Sequence, residues 1–83
     1  MPLSWFRVPR GTSEKLKHCR GGDMSDGKFE HCVRQIVSSH GRVVEFKHNG
    51  QGAHSHVRID WADDEARGHI ERDLEASEVR DPG

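Results

Sequence analysis

Residues 41–61 read GRVVEFKHNGQGAHSHVRIDW, and apolar side chains alternate with polar ones on both sides of the glycine-containing segment 49–52. This pattern predicts two antiparallel strands joined by a type II′ turn, in which Gly50-Gln51 are the central residues. That turn places Val44 opposite Val57. The resulting register predicts an inward face of Val44, Phe46, Val57, Ile59 and Trp61. It predicts an outward face of Val43, Glu45, Lys47, His54, His56, Arg58 and Asp60.

A helix is predicted on each side of this hairpin. The first starts at Ser25 or Asp26, its apolar residues follow a helical period, and Gly41 is placed to end it in the left-handed conformation. The second starts at Asp60 or Asp63 and has a narrower apolar stripe. The helical residues expected in the core are Phe29, Cys32, Val33, Ile36, Val37, Ala66, Ile70 and Leu74. The predicted fold is a small α+β domain of the α-β-β-α type, with two helices packed on one face of an antiparallel hairpin.

The composition limits the class of protein. Hydrophobic residues make up 31% of the 83 residues and charged residues 33%, so the chain forms one domain at most and has a small core. No apolar run approaches the roughly 20 residues of a membrane span, and residues 1–10 lack the apolar stretch of a signal peptide. We therefore expect a small soluble, cytoplasmic protein with no membrane partner. A coiled coil, a disulfide-dense scaffold and an enzyme of ordinary size are excluded.

Both ends of the chain are expected to lie outside the domain. Residues 1–23 contain more basic than acidic side chains and two prolines, which bracket the apolar pair Trp5-Phe6. They are predicted to form a flexible basic arm, and Met24 is a candidate natural start of the protein. The domain then spans residues 24–77, and residues 78–83 are predicted to fray.

Two strands are few for a stable sheet. A third strand is expected either from residues 3–8 or from a second copy of the chain that pairs at an edge. The second alternative makes a homodimer a candidate assembly.

The two cysteines admit three interpretations. Cys32 falls on the apolar stripe of the first predicted helix, which favours a buried free thiol. His18-Cys19 and His31-Cys32 supply the residue types of a zinc site, although adjacent ligands rarely both reach one ion. A disulfide between Cys19 and Cys32 is the third possibility.

The outward face of the hairpin suggests a second candidate metal site. His54 and His56 alternate along one strand, and the predicted register puts Glu45 opposite His56 and Lys47 opposite His54. Two imidazoles at i and i+2 and a cross-strand carboxylate can converge on one zinc ion. The first interpretation remains a solvated sheet face with alternating charges, with zinc at His54, His56 and Glu45 as the alternative.

One stretch of the chain is similar to a known family. Ser38-Ser39-His40, followed by Glu45-Phe46-Lys47-His48, a glycine turn, a strand and a polar helix, resembles the small HicA-type mRNA interferases. Three extra residues separate His40 from the Phe-Lys-His segment, the strand before it is absent, and serine stands in place of glycine. Over residues 27–76 the resemblance implies an αββα arrangement and RNA as a candidate partner.

Function is expected to be binding and not catalysis. The chain has neither a Gly-x-Ser-x-Gly elbow nor a phosphate-binding glycine motif, so we expect no enzyme. A protein partner is favoured because the predicted second helix is acidic and the hairpin face is rich in histidine. RNA or DNA binding by the basic residues of the same face is the alternative. The residues expected to contact a partner are Glu45, Lys47, His54, His56, Arg58, Asp63, Asp64 and Glu71.

Overall fold

The computed structural model describes residues 2–48 and 52–82 and contains, within them, four strands and three helices. In chain order these are β1 Leu3–Pro9, α1 Glu14–Arg20, α2 Asp26–Val37, β2 Gly41–His48, β3 His54–Trp61, α3 Asp64–Leu74 and β4 Ser77–Val79. The expected α+β class is confirmed, and so are both strands of the hairpin. The predicted turn at Gly50-Gln51 lies outside the described residues.

The N-terminal segment is an interior strand and not a flexible arm. The sheet is antiparallel with the order β2-β3-β1-β4, so β1 has a neighbour on each side. Phe6 and Val8 point to the core and are fully buried, which explains the apolar pattern of the segment. Pro9 is tolerated because it is the last residue of the strand. A chain that started at Met24 would therefore lose a central strand.

Residues near both ends of the chain belong to the sheet. The third strand that we expected from residues 3–8 is β1, and it pairs with β3 along its whole length. Residues 78 and 79, which were expected to fray, belong to β4 and pair with Phe6 and Trp5. The described sheet thus has four strands, where the sequence predicted the two of the hairpin and a third from residues 3–8 or from a second copy of the chain.

The predicted register of the hairpin is wrong. Val43 pairs with Ile59 and Glu45 with Arg58, and a β-bulge lies between the two pairs. The extra residue of a bulge reverses the inward and outward alternation on one strand only. As a result Val44 is 45% exposed, and Val43 packs against the core in its place.

The three helices cover one face of the sheet with a common apolar core. Ser25 caps α2 and Asp63 caps α3, each through a side-chain oxygen that accepts from a backbone N–H. Each of these residues was one of the two candidates predicted for the start of its helix. The fully buried core comprises Phe6, Val8, Leu16, Phe29, Cys32, Val33, Val37, Val57, Ile59, Ile70 and Leu74. Ile36 and Phe46 are only partly buried at its margin.

Gly41 has a different role from the expected helix cap. It is the first residue of β2 and pairs with Trp61, while Ser38 ends α2 in right-handed conformation. A Cβ atom at position 41 would lie 2.9 Å from the Cα of Trp61 and even closer to the carbonyl oxygen of Asp60. Glycine is required here by the close approach of two backbones.

The cysteines form a disulfide, so the first interpretation of a buried free thiol is wrong. The bond joins Cys19 of α1 to Cys32 of α2, with the two Cα atoms 5.9 Å apart. Helix α1 was missed by the sequence analysis. It is anchored by the fully buried Leu16 and by Ser13, whose hydroxyl donates to the carbonyl of Asp73.

In the described part of the chain, every helix is too short and too polar to cross a bilayer.

Candidate functional site: the outer face of the sheet

The sheet face that carries no helix is rich in cations. We call it the outer face and define it by Trp5, Arg7, Lys47, His54, His56 and Arg58. The pairing brings these residues side by side, because Trp5 lies opposite Arg58, and Arg7 and Lys47 lie opposite His56 from its two sides. Strand alternation sends all of them away from the core.

Trp5 lies at the centre of the outer face. It is 8% exposed, although no helix packs on this side of the sheet. The Nζ atom of Lys47 is 5.7 Å from the centroid of its ring, and the guanidinium carbon of Arg58 is 5.9 Å away. Cation–π attraction at these distances holds both cations over the indole, so their positions are partly fixed before any partner arrives.

The two histidines extend the cationic surface towards the turn. The rings of His54 and His56 have centroids 5.8 Å apart, and a guanidinium nitrogen of Arg7 lies 3.4 Å from the Nδ1 atom of His54. Burial lowers the pKa of His56, and the neighbouring His54, Arg7 and Lys47 lower it further. His56 is therefore neutral at pH 7, and the fixed positive charge comes from Arg7, Lys47 and Arg58.

Two carboxylates of the hairpin strands, those of Asp60 and Glu45, lie towards the other end of this face. Asp60 lies opposite Arg42, with 3.9 Å between the carboxylate and the guanidinium, and Glu45 lies opposite Arg58. The end that contains Arg7, Lys47 and His56 has no carboxylate among these register partners.

The expected zinc set does not come together. Lys47, and not Glu45, is the cross-strand partner of His56, because the half of the hairpin next to the turn pairs two residues away from the predicted register. Arg7 flanks the same imidazole from β1. Two cations in place of a carboxylate repel a divalent ion. Across residues 2–48 and 52–82, no three His, Cys, Asp or Glu side chains are grouped so that they could hold a metal.

The acidic helix lies on the opposite side of the sheet from the histidines. Asp63 is occupied as the N-cap of α3, and Asp64 lies 3.9 Å from Arg67 of the same helix. Glu71 is half-buried on the third turn of α3. A single partner surface cannot contact these acids and His54 together, so the expected contact set divides into two separate surfaces.

A polar relay that the sequence analysis missed joins α2 to the hairpin. The Nε2 atom of His48 lies 2.7 Å from the carboxylate of Glu30, and its Nδ1 atom lies 2.8 Å from the hydroxyl of Ser55. Ser55 is fully buried, which removes it as a nucleophile for an external substrate. The relay satisfies a buried hydroxyl and fixes α2 against the strands. The predicted register placed Ser55 opposite Phe46, whereas the structure pairs it with His48, so the relay could not be found from the predicted hairpin.

The remaining histidines are distributed over other surfaces. His40, the residue singled out by the resemblance to mRNA interferases, stacks on His69 of α3 with 4.8 Å between ring centroids. It lies at the helix side of the molecule, away from the outer face.

The chain matches no known protein-family model, no curated protein and no solved structure.

Proposed function

We propose that this protein is a non-enzymatic binding module that holds an acidic segment of a partner protein on the outer face of its sheet. The observation that carries the proposal is the arrangement of Arg7, Lys47 and Arg58 around Trp5 on the face that no helix covers. Cations that are held in place before binding lose less conformational entropy when a carboxylate arrives. The acidic helix is not part of this surface.

An acidic protein segment fits the outer face better than RNA or DNA does. Trp5 is buried beneath Lys47 and Arg58, so its ring is not available to stack on a base. Glu45 and Asp60 would repel a continuous phosphate backbone, and the whole chain has a formal charge of −1. A short segment with a few carboxylates can contact the cationic end and avoid these two acids.

The redox state of the two cysteines indicates the cellular location. Disulfides are rare in the cytosol, where thiols are kept reduced. The bond between Cys19 and Cys32 therefore favours an oxidising compartment over the cytoplasmic location that the sequence suggested. Alkylation of thiols in freshly lysed native cells distinguishes the two: a blocked pair supports an oxidising compartment, and two alkylated cysteines support the cytoplasm.

Self-association is a separate proposal that concerns the edge of the sheet. Strand β2 is an edge strand of eight residues, which leaves one row of its backbone groups available to a second copy. The β-bulge between Val43 and Glu45 and the charges of Arg42 and Lys47 oppose a long continuous pairing. Sedimentation over a range of concentrations tests for the dimer.

Binding is tested with a fluorescein-labelled polyglutamate peptide and a labelled single-stranded RNA of similar charge. We expect anisotropy to report peptide binding at about 50 mM salt and weaker binding at about 200 mM, because exposed charges are screened. The variant Lys47→Glu should weaken peptide binding by about tenfold. Lys28→Glu on α2 is the matched control, since Lys28 is partly exposed and lies on the helix side.

Two outcomes would overturn the proposal. Binding of RNA without binding of the peptide would favour the nucleic-acid alternative. Equal losses of peptide affinity in Lys47→Glu and Lys28→Glu would show that net charge, and not the outer face, controls the interaction.

A further inference from the structure

The chain crosses the outer face after its last strand. Val79 ends β4 at one edge of the sheet and pairs with Trp5. Pro82 lines a surface cavity of about 340 Å³ together with Lys47, His48 and His56, which belong to β2 and β3. In the strand order β2-β3-β1-β4, β4 and β3 are two strand spacings apart, or roughly 10 Å. Three residues span that distance when extended, so residues 80–82 must run across β1 to reach β3.

This crossing passes on the side of the sheet where Trp5 lies. An aromatic side chain at the centre of a bare sheet face would be largely exposed, yet Trp5 is 8% exposed. Lys47 and Arg58 cover it in part, and the crossing segment passes on the same side. Residues 80–82 are themselves exposed, as expected for a segment that lies on top of the sheet.

We propose that residues 80–82, here called the C-terminal strap, occupy the position that an extended acidic partner segment takes, and that the partner displaces them. The inference rests on the proposed function and adds a regulatory contact to it. Binding then requires an open state in which the strap has left the outer face.

The strap follows a strand of only three residues, which pairs with β1 alone, so a partner can displace the strap without breaking the pairs among β1, β3 and β2. The apparent dissociation constant of a protein that must open first is the intrinsic constant divided by the open fraction. A strap that is closed in nine molecules out of ten therefore weakens binding by about tenfold.

Two variants of the full chain shift the strap in opposite directions. A truncation after Val79 removes it, and the double substitution Arg80→Asp and Pro82→Asp adds two carboxylates to the strap, of which the one at position 82 lies beside Lys47. We expect the truncation to bind the polyglutamate peptide about threefold to tenfold more tightly than the full chain. The acidic strap should bind the peptide more weakly than the full chain, because it competes better for the same cations.

A second readout does not depend on any ligand. Iodide should quench tryptophan fluorescence more strongly in the truncated chain, because Trp5 becomes accessible. The same comparison in a Trp5→Phe background should show no difference, since Trp61 lies on the other face of the sheet.

The failures of the two proposals are distinguishable. Equal peptide affinities in the three chains, or unchanged iodide quenching after truncation, would refute the strap and leave the binding function standing. Exposure of Trp5 in a truncated chain that binds no peptide would support the strap as a cover and refute the proposed function.

Discussion

Removal of the disulfide should lower the free energy of unfolding by about 3 kcal/mol. The bond between Cys19 and Cys32 closes a loop with a sequence separation of 13, and the chain-entropy relation gives about 3 kcal/mol for a loop of that size. Domains of this size unfold with only about 5–15 kcal/mol, so the loss is a large share of the total. The largest effect is expected in α1, a helix of seven residues that the bond ties to α2.

Urea denaturation of the oxidised protein and of the double variant Cys19→Ala and Cys32→Ala measures this difference. Alanine is used because a serine at position 32 would leave a hydroxyl in the fully buried site. A reducing agent should destabilise the parent and leave the variant unchanged, which is the matched control. A difference below about 1 kcal/mol, or two reactive thiols in the folded protein purified without reductant, would refute the reasoning.

Three further predictions concern the sheet. Phe6→Ala in the central strand should cost about 3–5 kcal/mol in chemical denaturation, because the ring is fully buried, and a cost below about 1 kcal/mol would mean that β1 is not part of the core. Gly41→Ala should lower the free energy of unfolding by about 1–3 kcal/mol in the same assay, because its Cβ would clash with the backbone at Trp61. Gly27→Ala in α2 is the control and should be neutral or stabilising, because there is open space around Gly27. The reverse order of the two effects would contradict the observed strand pairing. Because the pKa of His56 is lowered in the folded protein, the unfolded chain binds more protons than the folded one, and the free energy of unfolding should fall as pH drops below 6.5 towards the folded pKa. His56→Asn should reduce that fall between about pH 7.5 and 5.5. An unchanged slope in the variant would show that other groups cause the fall.

The sequence predicts the elements that have a clear period. Helix α2 has a full apolar face and a serine cap, and β3 alternates strictly, so both were found with nearly correct ends. The bulge at Val44 was not predictable, because Val43 and Val44 are equally apolar and either can point inward. Separately, a shift of two residues in the half of the hairpin next to the turn exchanged Glu45 for Lys47 beside His56.

The N-terminal half of the fold was missed for a different reason. Strand β1 is short and bracketed by prolines, and its partner β3 is about 50 residues away in the chain, so no local pattern shows the pairing. In helix α1 the apolar side chains that pack against the core are Leu16, which is fully buried, and Cys19, which is partly buried. Two such residues are too few to show a helical period. Its stability comes from the disulfide and from tertiary contacts, and these cannot be predicted from the local sequence pattern.

The candidate site was predictable in part. The alternation of His54, His56 and Arg58 correctly placed these residues on the face away from the helices. Arg7 and Trp5 were not assigned to that face, because residues 3–8 were one of two candidate sources of a third strand and no register was predicted for them. Of the three fixed cations that support the proposed function, Arg7 comes from β1, and Lys47 and Arg58 come from the hairpin.

The central claim is that acidic segments bind on the outer face, and amide chemical-shift mapping tests it most directly. Titration of the isotope-labelled protein with polyglutamate should shift the amides of β1 and β3 around Arg7, His56 and Arg58, together with those of the C-terminal strap. Shifts confined to α3, or no shifts at saturating peptide, would contradict the claim.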